Sequence, residues 1–499
     1  MSELTLQSLY KIQLKNRQNS SPLFLQVEKW LNNETVDVDA IIEDFLQKDI
    51  LSLKEKTTAQ WKNLLSMSLL NYLVDSKDKN LPGIVRQFEL MPWDQSSQYF
   101  RLYAALNHFL VQLPIPEVGI SLLQSGAALI DAKEYSPWLS LPYHPQHLEF
   151  GILLSLLGIF LKRSDIEENV LRLATWQMNT LDYQILPVSS LYVREKENNQ
   201  CELIVLHYLL FKSAAFYTKR NEFQYLSDVL SKHLQEKFDS SVTTIDPLWV
   251  IIEHFLNLPK GQAKPIHLSN QIHDSSTSLV GYRSDHQTAI CTLHGCQTGL
   301  GYLREKDVEI MNYGPQYFPL DDCAGFGIEG NHLSDHGIRQ PLMESNKIDF
   351  SIKGCVRLVD QPRRLGAKSD SFQNIWLEVL QEYKNLQMNL KTSVLSLDEW
   401  NEVAFCFFVK AEECVVNQNL HLLPGNLNSY EGKVVPIRLQ GIKGALDLTA
   451  ANHKCTMQVI PLGRKNSFWG ANFLIAYSFV TEDRNYDWSI KPVATPSIL

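Results

Sequence analysis

Sulfur, imidazole and closely spaced glycines first occur together in the stretch CTLHGCQTGLGYLREKDVEIMNYGP, which runs from Cys291 to Pro315. Cys291, His294 and Cys296 carry donor atoms that zinc prefers, but a structural zinc site takes four converging ligands, usually from two short knuckles. Residues three apart on a strand point to opposite faces, and a second knuckle is missing even if Cys323 is counted. The stretch therefore predicts no metal, and we expect no cofactor.

The glycines of this stretch, Gly295, Gly299 and Gly301, also suggest a phosphate-binding loop. Such a loop needs a strand before it and a helix after it. Here the following residues, LGYLREKDVEIMNYG, have the pattern of a strand. We therefore predict one strand that ends near Leu293, a turn from Gly295 to Gly299, and one return strand, which together form a hairpin.

Three further segments collect side chains that can move protons or stabilise a negative charge. They are LPYHPQHLEF with Tyr143, His144 and His147, GYRSDHQ with Tyr282, Arg283 and His286, and GNHLSDHGIRQ with Asn331, His332, His336 and Arg339. With His294, these residues are the candidate catalytic and binding residues of the chain.

Simpler interpretations of the same segments stay open. Pro145 marks entry into a helix over 146–162, so the two residues before it fit a loop. His332 and His336 are four apart, the spacing of a metal pair on a helix, but glycines on both sides favour a polar loop. Tyr282 and Arg283 also fit the start of a strand.

Composition and charge exclude several function classes. The chain has 499 residues, of which 44% are hydrophobic and 20% charged, which is typical of a globular protein with two or three domains. Its net charge of -9 repels nucleic acid and anionic membranes, and no long basic run offsets it. The most apolar run, 150–161, is shorter than the ~20 residues that a membrane span needs.

The start of the chain and its cysteines indicate a compartment. The segment MSELTLQSLYKIQLKNRQNSS lacks the apolar core and cleavage site of a secretory signal. Without such a signal, the eight cysteines are expected to be free thiols in a reducing environment. We therefore expect a cytoplasmic protein.

Glycine usage divides the chain into two halves. Only five of the 23 glycines fall in the first 260 residues: Gly83, Gly119, Gly126, Gly151 and Gly158. Because glycine weakens helices and is wanted at turns and bulges, this shift predicts helices before residue 260 and strands after it.

Hydrophobic periodicity agrees with that division. In TTAQWKNLLSMSLLNYLVDSK, apolar residues recur at three- and four-residue steps, and similar segments cover 94–113, 116–132, 164–182, 200–220 and 221–238. Short links between them favour stacked helix pairs, in either a closed toroid or an open superhelix. We predict an all-helical domain over 1–260 and a linker over 261–278.

Strand-like runs dominate the rest of the chain. Several alternate apolar and polar residues, as a sheet with one wet face does, whereas 404–409 is apolar on both faces. A strand that is apolar on both faces must be covered on each face by another layer of structure. The pattern predicts a large antiparallel β-sandwich over 279–499.

In layout, the chain resembles the toroid-type polysaccharide lyases, the group of heparinase II/III-like, alginate and chondroitin lyases. The residues that carry this resemblance are the strands between Tyr282 and Pro315 and the segment GNHLSDHGIRQ that follows. Those enzymes often carry a histidine-rich segment near the start of the sandwich. The dense G-H-x-H-x-D pattern is absent here, since His332 and His336 stand four apart with Asp335 between them.

The resemblance implies β-elimination on a uronic acid polymer. That reaction needs a base and an acid, for which tyrosine and histidine serve, and a group that neutralises the carboxylate, for which Asn, Arg or protonated His serves. The resemblance thus implies a carbohydrate-active or carbohydrate-binding protein, with or without an intact active site, and an acidic polysaccharide or oligosaccharide as partner. The alternative is a non-catalytic scaffold whose helical groove binds a protein partner, with a structural sandwich.

Overall fold

The structure is a computed structural model that describes most of the chain. The described residues are 5–15, 21–47, 58–75, 80–88, 98–115, 145–163, 165–192, 200–237, 245–256, 263–275, 278–293, 299–317, 327–330, 342–359, 375–396, 403–451, 454–463, 469–480 and 483–493. The helix predicted over 116–132 lies outside them.

The chain forms two compact units. The helical unit contains Met1–Met178 and Cys201–Ile266, and the sandwich unit contains Asn179–Gln200 and His267–Leu499. The segment Asn179–Gln200 lies inside the range 1–260 for which the sequence predicts a helical domain, yet it is grouped with the strands.

The first half is helical, as predicted. Its described helices are α1 (Leu6–Lys15), α2 (Pro22–Leu31), α3 (Val38–Phe45), α4 (Thr58–Leu73), α5 (Leu81–Phe88), α6 (Gln98–Leu110), α7 (Pro145–Leu161), α8 (Asp165–Gln177), α9 (Gln200–Thr218), α10 (Asn221–Lys237) and α11 (Pro247–Phe255). Local capping residues mark where a helix begins, as at α11. Asp246 accepts a hydrogen bond from the Leu248 amide, and Pro247 takes the first position of α11.

Helices α4 and α11 are central to the packing of the helical unit. Helix α4 packs against α2, α3, α6 and α11, while α7 joins α6 to α8. Helix α11 also packs against α1 and α2, so the last helix returns to the first ones. Buried ion pairs link helices: Lys62 to Glu149 at 2.5 Å, and Lys212 to Glu253 at 3.0 Å.

The second half forms strands throughout. They are β1 (Gln271–Asp274), β2 (Leu279–Arg283), β3 (Gln287–Thr292), β4 (Gly301–Glu305), β5 (Val308–Tyr317), β6 (Gly327–Gly330), β7 (Leu342–Asn346), β8 (Asp349–Val359), β9 (Ile375–Lys384), β10 (Gln387–Ser396), β11 (Val403–Lys410), β12 (Glu413–Val416), β13 (Leu420–Leu422), β14 (Tyr430–Lys433), β15 (Ile437–Gln440), β16 (Ala445–Ala451), β17 (Thr456–Pro461), β18 (Phe473–Ser478) and β19 (Asn485–Pro492).

These strands build two antiparallel sheets. The first sheet has the order β1-β2-β3-β4-β5-β11-β18-β17-β14. The second has the order β13-β12-β15-β16-β19-β10-β9-β8-β6, with β7 also paired to β8. One apolar core joins them, and in it the Phe405 ring of the first sheet stacks on Trp488 of the second at 4.1 Å. This is the β-sandwich that the sequence predicts.

Strand β11 shows why the pattern over 404–409 is apolar on both faces. Phe405 and Phe407 point into the sandwich core, while Ala404, Cys406 and Phe408 are buried on the other face of the first sheet. The first sheet therefore has two covered faces, as predicted.

The prediction of one return strand after Gly299 is wrong. Lys306 and Asp307 form a turn between β4 and β5, with Lys306 in the left-handed region at φ 54. The two strands pair with each other, so that Leu303 lies opposite Ile310. The segment is a hairpin, and its turn contains no glycine or proline that would have marked it.

Candidate functional site

Four of the candidate residues lie in the described part of the chain: His147, Tyr282, Arg283 and His286. Seven lie outside it: Tyr143, His144, His294, Asn331, His332, His336 and Arg339. Their roles stay predictions.

Arg283 is the last residue of β2 and is 4% exposed. Its Nε donates a hydrogen bond to the Leu181 carbonyl at 2.8 Å, and its Nη1 donates to the Ser269 carbonyl at 3.0 Å. Burial lowers the pKa of Arg283 to about 10, and Asp182 counters part of that effect. In this position the guanidinium ties two main-chain segments to the sheet.

Tyr282 and Arg283 are neighbours in sequence but lie on opposite faces of the first sheet, because side chains alternate along a strand. Tyr282 is half-buried, and its ring lies 6.1 Å from that of Tyr383 on the inner face. His286 is exposed in the turn between β2 and β3, where its carbonyl accepts a hydrogen bond from the Lys306 amide at 2.8 Å.

His147 belongs to the helical unit. It lies in the first turn of α7 and is 7% exposed. Glu149, two residues on, projects from a different side of the helix and bonds to Lys62. The His147 side chain is therefore buried in the helical unit and has little surface with which to contact a substrate.

A densely bonded polar cluster lies on the outer face of the first sheet. It forms where the segment Asn179–Tyr192, here called the strap, crosses strands β2 to β5. The strap begins within the 3₁₀ turn Met178–Thr180, contains a second 3₁₀ turn at Ser189–Leu191, and has a bridge between Leu181 and Pro187. Apolar side chains of the strap pack against the protein, and Leu181 and Leu191 are almost fully buried.

Arg304 of β4 is the main anchor of the strap. Its Nη1 donates to the Asp182 carboxylate, its Nη2 to Gln184 Oε1 at 2.6 Å, and its Nε to the Lys306 carbonyl at 2.8 Å. The Asp182 carboxylate also accepts the amides of Gln184 and Leu186, at 2.8 and 2.9 Å. Each guanidinium nitrogen therefore holds the strap or the adjoining turn.

Tyr183 adds three further contacts to the sheet. Its amide donates to Thr288 Oγ1 at 2.9 Å, and its hydroxyl donates to the Lys306 carbonyl at 3.1 Å. The Arg304 guanidinium lies 5.2 Å from the centre of its ring, a cation–π distance. The strap is thus fixed by ionic, polar and aromatic contacts at one point.

Next to Arg304, Glu309 holds a second arm of the cluster. The Tyr302 hydroxyl donates to Glu309 Oε2 at 2.9 Å, and Lys410 Nζ lies 3.2 Å from Oε1. Burial raises the pKa of Glu309, but Lys410 and Arg304 outweigh burial and hold that pKa below its ordinary value. Burial and Glu309 raise the pKa of Tyr302, so its hydroxyl stays protonated.

The groups of this cluster that reach solvent are a phenol, an amide and an ammonium. Tyr183 is half-buried, Gln184 is exposed, and the Lys410 side chain is 45% exposed. Burial raises the pKa of Tyr183. The arrangement can donate hydrogen bonds to a hydroxyl-rich or anionic ligand, but its tyrosines stay protonated and are not available as bases at neutral pH.

The stretch around Cys291 is part of the sandwich core. The Cys291 thiol lies 3.4 Å from the Tyr313 hydroxyl, and burial raises its pKa to about 12. Gly299 has φ +112, and a Cβ there would lie 1.7 Å from Asn312 Oδ1. At Gly301 a Cβ would meet the Tyr313 hydroxyl at 2.3 Å. These two glycines permit close packing.

Within the described ranges, no group of three His, Cys, Asp or Glu side chains is placed to hold a metal ion. No described helix is both long and apolar enough to cross a membrane.

Asp182, Arg304 and Glu309 are not among the residues that the sequence predicts for the site. Arg304 and Glu309 stand in strands whose other residues are almost all buried, which is a weak sign of buried charge. Nothing local to Asp182 indicates that its partner lies 122 residues away. Only the fold brings them together.

No protein-family model matches the chain, and no curated protein matches its sequence. Solved structures do match it. The xanthan lyase of Paenibacillus superposes with a TM-score of 0.55 and 11% identity, over 98% of this chain and 53% of the lyase. The chain thus spans about half the length of that enzyme.

A second structure is the chondroitin AC lyase of Streptomyces coelicolor A3 in complex with chondroitin sulphate, with a TM-score of 0.53 and 10% identity over 93% of this chain and 71% of the lyase. A point mutant of that enzyme gives a TM-score of 0.52 and 9% identity. The chain has a polysaccharide-lyase-like fold. At these identities the fold is what is shared, and the lyase-like fold agrees with the resemblance predicted from layout.

Proposed function

We propose that this chain binds an acidic polysaccharide and cleaves it by β-elimination. The observation that supports the proposal is the lyase-like fold, which covers 98% of the chain in the match with xanthan lyase and 93% in the match with chondroitin AC lyase. Fold alone does not give function, so the proposal also needs residues with the right chemistry.

The reaction requires three groups. A base removes the proton on the carbon next to the uronate carboxylate, and the electron pair left behind forms a carbon–carbon double bond. The glycosidic carbon–oxygen bond breaks, and an acid gives a proton to the leaving oxygen. A third group neutralises the carboxylate while its negative charge is delocalised.

We assign base and acid to the tyrosine and histidine candidates: Tyr143, His144, His147, Tyr282, His332 and His336. His147 is the weakest of these candidates, because its side chain is buried. The neutralising group is then Asn331, Arg339 or a protonated histidine. Arg283 is the weaker candidate for this role, because its Nε and Nη1 already donate to main-chain carbonyls. His286 and His294 are assigned to substrate binding.

The strap cluster contributes binding in this proposal. Its solvent-facing groups, Tyr183, Gln184 and Lys410, suit sugar hydroxyls and carboxylates. Because the tyrosines there stay protonated, the base comes from another segment. The proposal therefore places base and binding groups on different parts of the chain.

The domain division and the cellular setting are part of the proposal. We propose that the linker 261–278 separates the helical domain from the sandwich domain, and that the strap belongs to the sandwich domain. A reducing, cytoplasmic setting is supported by the buried thiols of Cys291, Cys414 and Cys455.

The test is incubation of the full chain with a panel of uronate polymers while the ultraviolet absorbance of the unsaturated product is followed. We expect a rise with at least one polymer, and its loss in His144→Ala or His332→Ala. His421→Ala, an exposed histidine paired with Glu413 on β13 and β12, is the matched control and should retain activity. A flat trace together with no polymer binding would overturn the proposal and favour a protein-binding scaffold.

A further inference from the structure

Glu305, the last residue of β4, carries a buried carboxyl group. The residue is 5% exposed, and its Oε2 has no hydrogen-bond partner among the described residues. Buried polar atoms in proteins are nearly always paired, because an unpaired one forfeits its hydration. The exception therefore points to a ligand that the described residues do not supply.

This carboxyl is separate from the strap cluster. Glu305 lies opposite Gln287 of β3 and Val308 of β5. Side chains alternate along β4, so Glu305 shares the inner face with Leu303, while Arg304 and the strap lie on the outer face. The Glu305 carboxyl thus lies between the two sheets, at one end of the sandwich.

Polar and aromatic groups surround the same point. The Tyr383 hydroxyl of β9 donates to Gln287 Oε1, directly across from Glu305. Burial raises the pKa of Tyr383, and both Tyr282 and Glu305 raise it further, so all three groups are close enough to interact. The Tyr282 ring completes the group at 6.1 Å from Tyr383.

Glu305, Gln287 and Tyr383 are buried, whereas Tyr282 and His286 at the edge of this group reach solvent. Tyr282 is half-buried, and its hydroxyl makes no hydrogen bond within the described ranges. His286 is exposed and joined to Lys306 through the main chain. Burial raises the pKa of Glu305, while His286 and Lys306 lower it, which places both side chains near the carboxyl.

The chemistry of this rim selects a ligand class. A cationic ligand would meet the Lys306 ammonium group first and be repelled by it. A metal would need more ligands than the described residues offer at this point. An acidic sugar fits each group: its hydroxyl donates to Glu305, its carboxylate meets His286 and Lys306, and its ring lies on Tyr282.

We propose that Tyr282, His286, Gln287, Glu305, Lys306 and Tyr383 form a binding subsite for one uronate unit, at the end of the sandwich and apart from the strap cluster. This inference rests on the proposed function, since it names a second place where the same polymer binds. It also gives Tyr282 and His286 a joint role in binding.

Isothermal titration calorimetry of the full chain with a galacturonate tetrasaccharide tests the subsite. We expect Glu305→Gln to weaken binding at this site about tenfold or more, because a charged acceptor for the sugar hydroxyl is lost. Tyr282→Phe should weaken it less, and Tyr282→Ala more. The methyl-esterified tetrasaccharide should bind the wild-type subsite weakly, because it cannot pair with His286 and Lys306.

Glu431→Gln, an exposed carboxylate on β14, makes the same change of charge away from the subsite and should bind like wild type. Thermal melts of each variant separate loss of binding from loss of fold. If wild type binds uronate but Glu305→Gln and Tyr282→Ala keep its affinity and stoichiometry while folded, the subsite is refuted and the proposed function stands. If wild type binds no uronate oligomer, the proposed function and the subsite are both refuted.

Discussion

Arg304 of β4 donates a hydrogen bond to the carboxylate of Asp182, a residue 122 positions earlier in the chain. Asp182 belongs to a strap that enters and leaves the sandwich unit between two helices of the helical unit. The strap interrupts the sequence of the helical unit, and this buried ion pair fixes it to the outer face of the first sheet. The stability of the sandwich unit should depend on it.

Asp182→Asn should lower the free energy of unfolding by about 3–5 kcal/mol, because it leaves the Arg304 charge buried without its partner. The Asp182 and Arg304 side chains are only 2% and 11% exposed. Asp447→Asn is the matched control, since Asp447 pairs with Arg438 on an exposed face and should cost about 0–1 kcal/mol. Urea unfolding measures both, and equal costs would contradict the anchoring role.

The Tyr313 hydroxyl of the first sheet donates to Gln381 Oε1 of the second at 2.6 Å, and the Cys291 thiol lies 3.4 Å from the same hydroxyl. Tyr313→Phe leaves a buried acceptor unpaired and should cost about 1–3 kcal/mol. The double variant Tyr313→Phe, Gln381→Met should lose less free energy of unfolding than the two single variants lose in sum.

Tyr430→Phe removes an exposed hydroxyl that donates to the Lys433 carbonyl, and it is the control for loss of a tyrosine hydroxyl. Its cost should be near zero. Strictly additive costs for Tyr313→Phe and Gln381→Met in denaturant titrations would show that this cross-link does not join the sheets.

Stability should fall as the pH drops below about 6.5, in part because of His207 in α9. Burial lowers its pKa from 6.5 to about 4, although a hydrogen bond to the Leu203 carbonyl raises it somewhat. The unfolded chain therefore takes up a proton before the folded chain does. The stability present above pH 6.5 is lost as the pH falls towards 4, by about 3 kcal/mol in all.

His207→Asn should flatten this part of the stability curve, whatever its effect at pH 7. The measurement is urea unfolding at several pH values between 7 and 4, compared with wild type and with His421→Asn, an exposed histidine. An unchanged slope in His207→Asn would mean that this imidazole is not the group that titrates.

Gly299→Ala should destabilise the chain by more than about 1 kcal/mol. Its φ of +112 disfavours any side chain, and the new Cβ would lie 1.7 Å from Asn312 Oδ1. Gly463→Ala is the control, because no described atom beyond its chain neighbours lies within 4 Å of its added Cβ. Similar midpoints in urea for the two variants would contradict the packing role of Gly299.

The sequence predicts the two structural classes because their signals are local. The scarcity of glycine before residue 260 and the three- and four-residue periodicity of segments such as α4 are properties of short windows. The same holds for β11, whose continuous apolar run predicts a doubly covered strand.

The strap could not be predicted in the same way. Its segment LDYQILPVSSLY has apolar residues without a period, and its fold depends on Arg283 and Arg304, which follow about a hundred residues later. The turn at Lys306 was missed because its left-handed residue is not glycine. Glu305 is unusual because its Oε2 lacks a hydrogen-bond partner among the described residues, and a sequence does not show which atoms are left without partners.

The mass of the products formed from a uronate polymer tests the central claim most directly. β-Elimination adds no water, so the two fragments of a defined oligosaccharide should together have the mass of the substrate, and one of them should absorb in the ultraviolet. Fragments that are together heavier by one water would show hydrolysis, and an intact oligosaccharide across the whole panel would show no cleavage. Either result would contradict the proposed elimination.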